Sequence, residues 1–181
     1  LTAHNASHAA VNANGLAVSL STTNSRGTWT GIVSGGGSLT GWTAFDNALL
    51  DNTISRNASG NSVKMYGNFG FEYNAAGVFQ QFPAAANETW TGTAYFQTSS
   101  LDTIVGTTNF AALNIEWINA SGGQISYISQ RATDGTSPAD TWQQFTISGV
   151  APAGTAFARI VPIFLQPSFQ GGSVNVDDVT F

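Results

Sequence analysis

The chain has 181 residues, a hydrophobic share of 42% and a mass of 18.8 kDa, enough for one domain that buries roughly 70% of its unfolded surface. Charged residues are only 8% of it, about a third of the usual share, and the net charge is −5 with Lys64 the only lysine. These figures argue against nucleic acid or an anionic membrane surface as a partner; the lack of cysteine removes disulfides and thiolate chemistry, and no apolar run reaches the roughly 20 residues of a membrane span.

Residues 1–15, "LTAHNASHAAVNANG", hold both histidines, His4 and His8, and read as a tail ahead of a single domain over 16–181. The sequence begins at Leu1, so either a leader was removed or the chain was trimmed. Strand-like runs follow at 16–21, 27–33, 62–66, 77–82, 90–97, 113–118, 124–129, 141–148, 157–165 and 171–181. Period-two alternation is clearest where Trp90, Gly92, Ala94 and Phe96 oppose Thr91, Thr93, Tyr95 and Gln97, and again where Leu113, Ile115 and Trp117 oppose Asn114, Glu116 and Ile118. Turn chemistry separates the runs: "SGGG" (34–37), "NASGN" (57–61), "NASGG" (119–123), "TDGTSPAD" (133–140) and "APAG" (151–154). No window has the pattern and caps of a helix. About ten strands at this spacing predict an all-β antiparallel β-sandwich, a jelly roll. Pro162, inside a long strand, predicts an edge or a bulge there. Between two strands, "YGNFGFEYNAAG" (66–77) predicts a long aromatic loop.

Catalysis finds no positive support. There are ten carboxylates but no spaced acidic motif, and no G-x-S-x-G elbow. His4 and His8 have i,i+4 spacing without H-E-x-x-H, which reads as two solvated tail histidines. The sequons at Asn5, Asn57, Asn87 and Asn119 match N-glycosylation only by pattern, in a chain rich in Asn, Ser and Thr. Low charge, no cysteine and abundant Ser, Thr and Asn point to a secreted protein, extracellular or at a cell surface.

The segments "LTGWTAFDNA", "NSVKMYGNFG", "AAGVFQQFPAAANETWTGTAYF", "NIEWINASGG", "APAGTAFARIVPIF" and "GGSVNVDDVTF" carry a resemblance over residues 39–181. Together they resemble bacterial carbohydrate-binding modules of the glucan- and xylan-binding superfamily, families four, nine, sixteen and twenty-two. That resemblance implies a galactose-binding-like jelly roll that is non-catalytic, binds a polysaccharide or oligosaccharide and holds a structural calcium ion. It implies a calcium ligand at the aspartates near the end of the chain, Asp178 and Asp177, with acidic loop residues such as Asp46 or Asp51 as further oxygen donors. A family Glu expected near Asn14-Gly15-Leu16-Ala17 is absent. Strict alternation puts Asp178 on the face of Val174 and Val176, where an unpaired carboxylate is costly, and leaves Asp177 solvated or binding through its backbone.

In such modules sugar rings stack on aromatic faces while polar side chains read the hydroxyls. Trp42, Trp90, Trp117 and Trp142 fall in or beside matched strands and are assigned to the core. The stacking candidates are then Trp29, Phe69, Phe71, Tyr73, Tyr127 and Phe169, with Gln80, Gln97, Arg131 and Gln166 as polar readers. A second expectation is an extracellular structural subunit that self-assembles with copies of itself into a filament or sheath, its N-terminal strand adding to a neighbour's sheet edge.

Overall fold

The computed structural model describes residues 17–19, 28–30, 39, 41–57, 60–68 and 73–181. The predicted tail therefore lies outside the described residues, as do Phe69, Phe71 and the side chain of Trp29. The strands are β1 (Ala17–Ser19), β2 (Thr28–Thr30), β3 (Thr43–Phe45), β4 (Ala48–Asp51), β5 (Ser62–Tyr66), β6 (Asn74–Pro83), β7 (Thr89–Gln97), β8 (Phe110–Ile118), β9 (Gln124–Asp134), β10 (Gln143–Val150), β11 (Phe157–Gln166) and β12 (Ser173–Thr180). β1 and β2 pair with each other; the rest stack as two five-stranded antiparallel sheets, ordered β10-β7-β12-β5-β4 and β3-β6-β11-β8-β9. The fold is the predicted all-β jelly-roll sandwich. No helix among the described residues is long and apolar enough to cross a membrane.

The period-two residues do what alternation asks of them. Val63, Met65, Phe96, Val174 and Val176 from one sheet form a single cluster with Val78, Leu113, Ile115, Ile160 and Phe164 from the other. Each such side chain taken fully out of water contributes roughly 1.5–3 kcal/mol. At one end Trp90 stacks against Phe181 with centroids 4.7 Å apart and approaches Phe82 at 6.3 Å. Trp90 and Trp117 are core residues as assigned, while Trp42 and Trp142 are half-buried.

Local expectations change in three regions of the fold and in the length of one loop. β3 and β4 belong to different sheets, and the chain crosses between them at Asp46-Asn47. Asp46 takes φ 53°, its carbonyl accepts from Ala48 N, and its carboxylate accepts from Asn74 Nδ2 at 2.6 Å. Asp46 is thus a corner residue. The aromatic loop is shorter than predicted, because β6 already begins at Asn74.

Pro162 sits at neither an edge nor a bulge: β11 is the central strand of its sheet, paired on both sides in unbroken register. Its missing N–H falls on the β6 side, where the ladder skips from Ile160↔Gln80 to Ile163↔Gly77. Gly77 fills that gap closely; a Cβ there would lie 2.5 Å from the Pro162 carbonyl oxygen and 2.7 Å from Phe45 Cζ.

The third change concerns the aspartate pair. Register shifts between Asp177 and Thr180, and Asp178 takes φ 48°, so strict alternation fails at this point. Asp177 is buried at 4% exposure rather than solvated, and Asp178 is the more exposed of the two. The two-residue repeat is a property of an unbulged strand, and here a bulge re-aims both side chains.

Candidate functional site

The sheet β3-β6-β11-β8-β9 has one face in the core; the other is an outward face with an unusual texture. Register places Gln81, Arg159, Glu116 and Tyr127 in one row across β6, β11, β8 and β9. Three strand steps make that row about 14 Å long. The next row holds Val161, Asn114 and Ser129, with Phe79 and Thr43 on the neighbouring strands, and a third holds Phe45, Gly77, Ile163, Ala112 and Arg131. The centre of this face, at Val161, Asn114 and Ala112, is buried, while Tyr127 on the flank is 58% exposed.

Arg159 organises the first row. Its Nε donates to Gln81 Oε1 at 2.8 Å, its guanidinium lies 4.5 Å from the Phe79 ring centroid, and Nη1 is 3.8 Å from Glu116 Oε2. Glu116 is mostly buried, and that burial pushes its carboxyl above the ordinary 4.5 despite the opposing pull of Arg159. Asn114 is 8% exposed, and its Oδ1 is a buried acceptor with no hydrogen-bond partner among the described residues. Such a group costs free energy until a donor meets it. At the far flank Arg131 lies 4.0 Å over the Phe110 ring, and its Nε pairs with Asp134 at 3.2 Å. Chemically the face offers aromatic surface, acceptors and donors, and two guanidinium groups balanced by two carboxylates.

Only part of the predicted ligand set lies here. Tyr127 and Arg131 do. Tyr73 (66% exposed) and Phe169 (60%) lie at the end of the sheet where β6 begins and β11 finishes. Gln80 and Gln166 are corrected: both point into the sandwich and are buried, opposite Ile160 and Asn74 respectively. Gln166 fits there because Gly67 leaves room; a Cβ on residue 67 would collide with its side chain at 1.4 Å. Gln97 is buried on the other sheet beside Asn175. Gln81, Phe79, Arg159, Glu116 and Asn114 were not singled out from sequence. The available signal was a charge in the middle of an apolar strand, as in "FARIV" and "NIEWI".

The other sheet's outer face carries a buried polar network. Asn175 Nδ2 donates to Asp51 Oδ2 at 2.9 Å and to Ser62 Oγ at 2.8 Å. Asp51 Oδ1 accepts from Thr53 N and Oγ1 and from Ile54 N. Asp177 accepts from Arg56 N at 2.9 Å and from Asp178 N at 2.8 Å, while Asp178 pairs with Arg56 Nε. Burial pushes Asp177 above the ordinary carboxylate range, against those two amide donors. The four predicted calcium ligands are dispersed: Asp46 at the β3–β4 corner with Asn74, Asp51 with Asn175, and Asp177 and Asp178 around Arg56. Among the described residues no three acidic or histidine side chains converge as a metal site. Three of the four carboxylate oxygens at the end of β12 accept from N–H donors, and a donor set so occupied does not fit a calcium ion.

No protein-family model matches the chain, and no curated protein matches it either. Solved structures do. The family 16 carbohydrate-binding module-2 aligns with a TM-score of 0.53 at 13% identity, over 78% of this chain and 89% of that one. The xylan-binding domain CBM22-1 of Paenibacillus barcinonensis Xyn10C aligns with 0.53 at 13% identity, over 80% and 86%. The enzymatically active domain of bacteriophage CBA120 tailspike protein 4 aligns with 0.52 at 14% identity, where this chain spans 19% of the longer protein. The chain thus has the jelly-roll fold found in carbohydrate-binding modules, and it spans nearly the whole length of the isolated modules but about a fifth of the tailspike domain.

Proposed function

We propose that this chain is a non-catalytic, extracellular domain that binds a neutral polysaccharide on the outward face of β3-β6-β11-β8-β9. The observation that carries the reading is the row of Gln81, Arg159, Glu116 and Tyr127 across four strands, where the half-buried Arg159–Glu116 pair lies beside the Phe79 ring. The partly exposed guanidinium and carboxylate of that pair can donate to and accept from sugar hydroxyls, and pyranose faces suit Phe79 and Tyr127. Arg131 and Arg159 against Glu116 and Asp134 leave the face without net charge, which favours a neutral glycan over a uronate. Structural neighbours that are themselves carbohydrate-binding modules support the same reading. Affinity electrophoresis against gels containing xylan, mixed-linkage glucan, mannan and galactan tests it. Retardation by one neutral glycan, lost in Arg159→Ala, is expected; mobility unaffected by every gel refutes the reading.

A second reading, a self-assembling structural subunit, has one observation in its favour. Among the described residues β9 is an eleven-residue edge strand paired only with β8, and its residues from Gln124 to Tyr127 are all exposed. Light scattering of the intact chain and of a form lacking residues 1–12 checks it; identical monomer masses for both count against assembly through that segment.

A further inference from the structure

The aspartate pair of β12 lies on the sheet opposite the proposed glycan face, and its surroundings are closely built. Both oxygens of Asp177 are taken by backbone amides, Oδ2 by Arg56 and Oδ1 by Asp178. The bulge at Asp178 swings its carboxylate out to Arg56 Nε, and the guanidinium carbon lies 4.0 Å over the Tyr95 ring. The segment that brings Arg56 here is itself tied down. Asp51 caps Thr53 and Ile54, and Ser62 Oγ donates to the Ile54 carbonyl at 2.5 Å.

A calcium ion needs six to eight oxygen ligands with lone pairs free to face it. Here three of the four carboxylate oxygens already accept from N–H groups, and the Arg56 guanidinium stands beside them. We infer that Arg56 is a built-in, solvent-facing cation that takes the place of the structural calcium implied by the family resemblance, pinning β12 to the 51–57 segment without metal. Its planar fork and weak hydration suit it to this position, since it can bind a carboxylate edge-on while lying flat on an aromatic ring. The same arrangement explains how Asp177 remains buried without a metal: two amide donors and a nearby guanidinium oppose its desolvation cost.

The test is thermal unfolding of the intact chain in excess calcium and after exhaustive chelation, with native mass measured in both. The expected result is one midpoint in both buffers and no bound calcium. Arg56→Met, which keeps most of the stem, should lower the midpoint by about 3–6 °C, and calcium should not restore it. A stoichiometric calcium adduct, or a wild-type midpoint that falls on chelation, overturns the inference. An Arg56→Met midpoint equal to wild type overturns it from the other side, because the guanidinium would then hold nothing.

Discussion

Removing the side chain of Asn175 tests how the outer polar network supports the fold. Asn175 is fully buried on β12 and gives both its amide hydrogens away, one to the Asp51 carboxylate at 2.9 Å and one to Ser62 Oγ at 2.8 Å. A hydrogen bond to a charged acceptor contributes roughly 1.5–3 kcal/mol and a neutral one about 1 kcal/mol. Against this, Asn175 Oδ1 is buried without a partner among the described residues, and its removal returns part of the loss. Asn175→Ala should therefore cost about 2–3 kcal/mol, which at roughly 2–4 °C per kcal/mol for a chain of this size lowers the midpoint by about 4–12 °C. The pH dependence supplies a second, independent check. Burial pushes Asp51 up, but donors from Thr53, Asn175 and Ile54 outweigh it and hold the carboxyl below its ordinary 3.8. A depressed carboxylate contributes stability that is present above 3.8 and lost as pH falls through the lower folded value. The deficit of Asn175→Ala should thus be full at neutral pH and shrink in acid below 3.8. Denaturant unfolding of both proteins at neutral and acid pH measures this. A neutral-pH deficit under about 0.5 kcal/mol, or one unchanged in acid, would refute the assigned role.

Two further outcomes concern the candidate site. Gly77→Ala places a methyl 2.5 Å from a backbone oxygen of the central strand, which cannot turn aside, and 2.7 Å from Phe45. It should cost roughly 1–3 kcal/mol by denaturant unfolding and displace Phe45 from the outward face. Glu116 has its carboxyl raised above 4.5 by burial; its ionised form is the stronger acceptor for a sugar hydroxyl. Glycan affinity by calorimetry should therefore fall as pH drops through a value above 4.5, and Glu116→Gln should flatten that profile.

The fold was legible because alternation is kept in strands such as β7, where Trp90, Ala94 and Phe96 lie inside as their spacing demands. β3 and β4 were missed because strands of three and four residues are too short to show a period, and because Asp46 earns its place only through Asn74, far along the chain. Alternation then misled at Asp177, where the bulge that buries it depends on an amide from Arg56, 121 residues away. Gln80 and Gln166 looked like ligand readers because sequence cannot tell an inward glutamine from an outward one. What admits Gln166 is the missing side chain of Gly67 across the sandwich. Tyr127 and Arg131 drew notice because a lone aromatic and a lone charge stand out in a polar edge strand. Arg159 and Glu116 were not, since each is flanked by apolar residues that read as core.

Backbone amide chemical shifts, recorded while a retarding neutral oligosaccharide is added, map the binding surface residue by residue. Shifts concentrated at Gln81, Asn114, Glu116, Tyr127 and Arg159 are the predicted result. Shifts confined to the Tyr73–Phe169 end, or to the outer face of β7 and β12, would contradict the assignment of this sheet face as the glycan site.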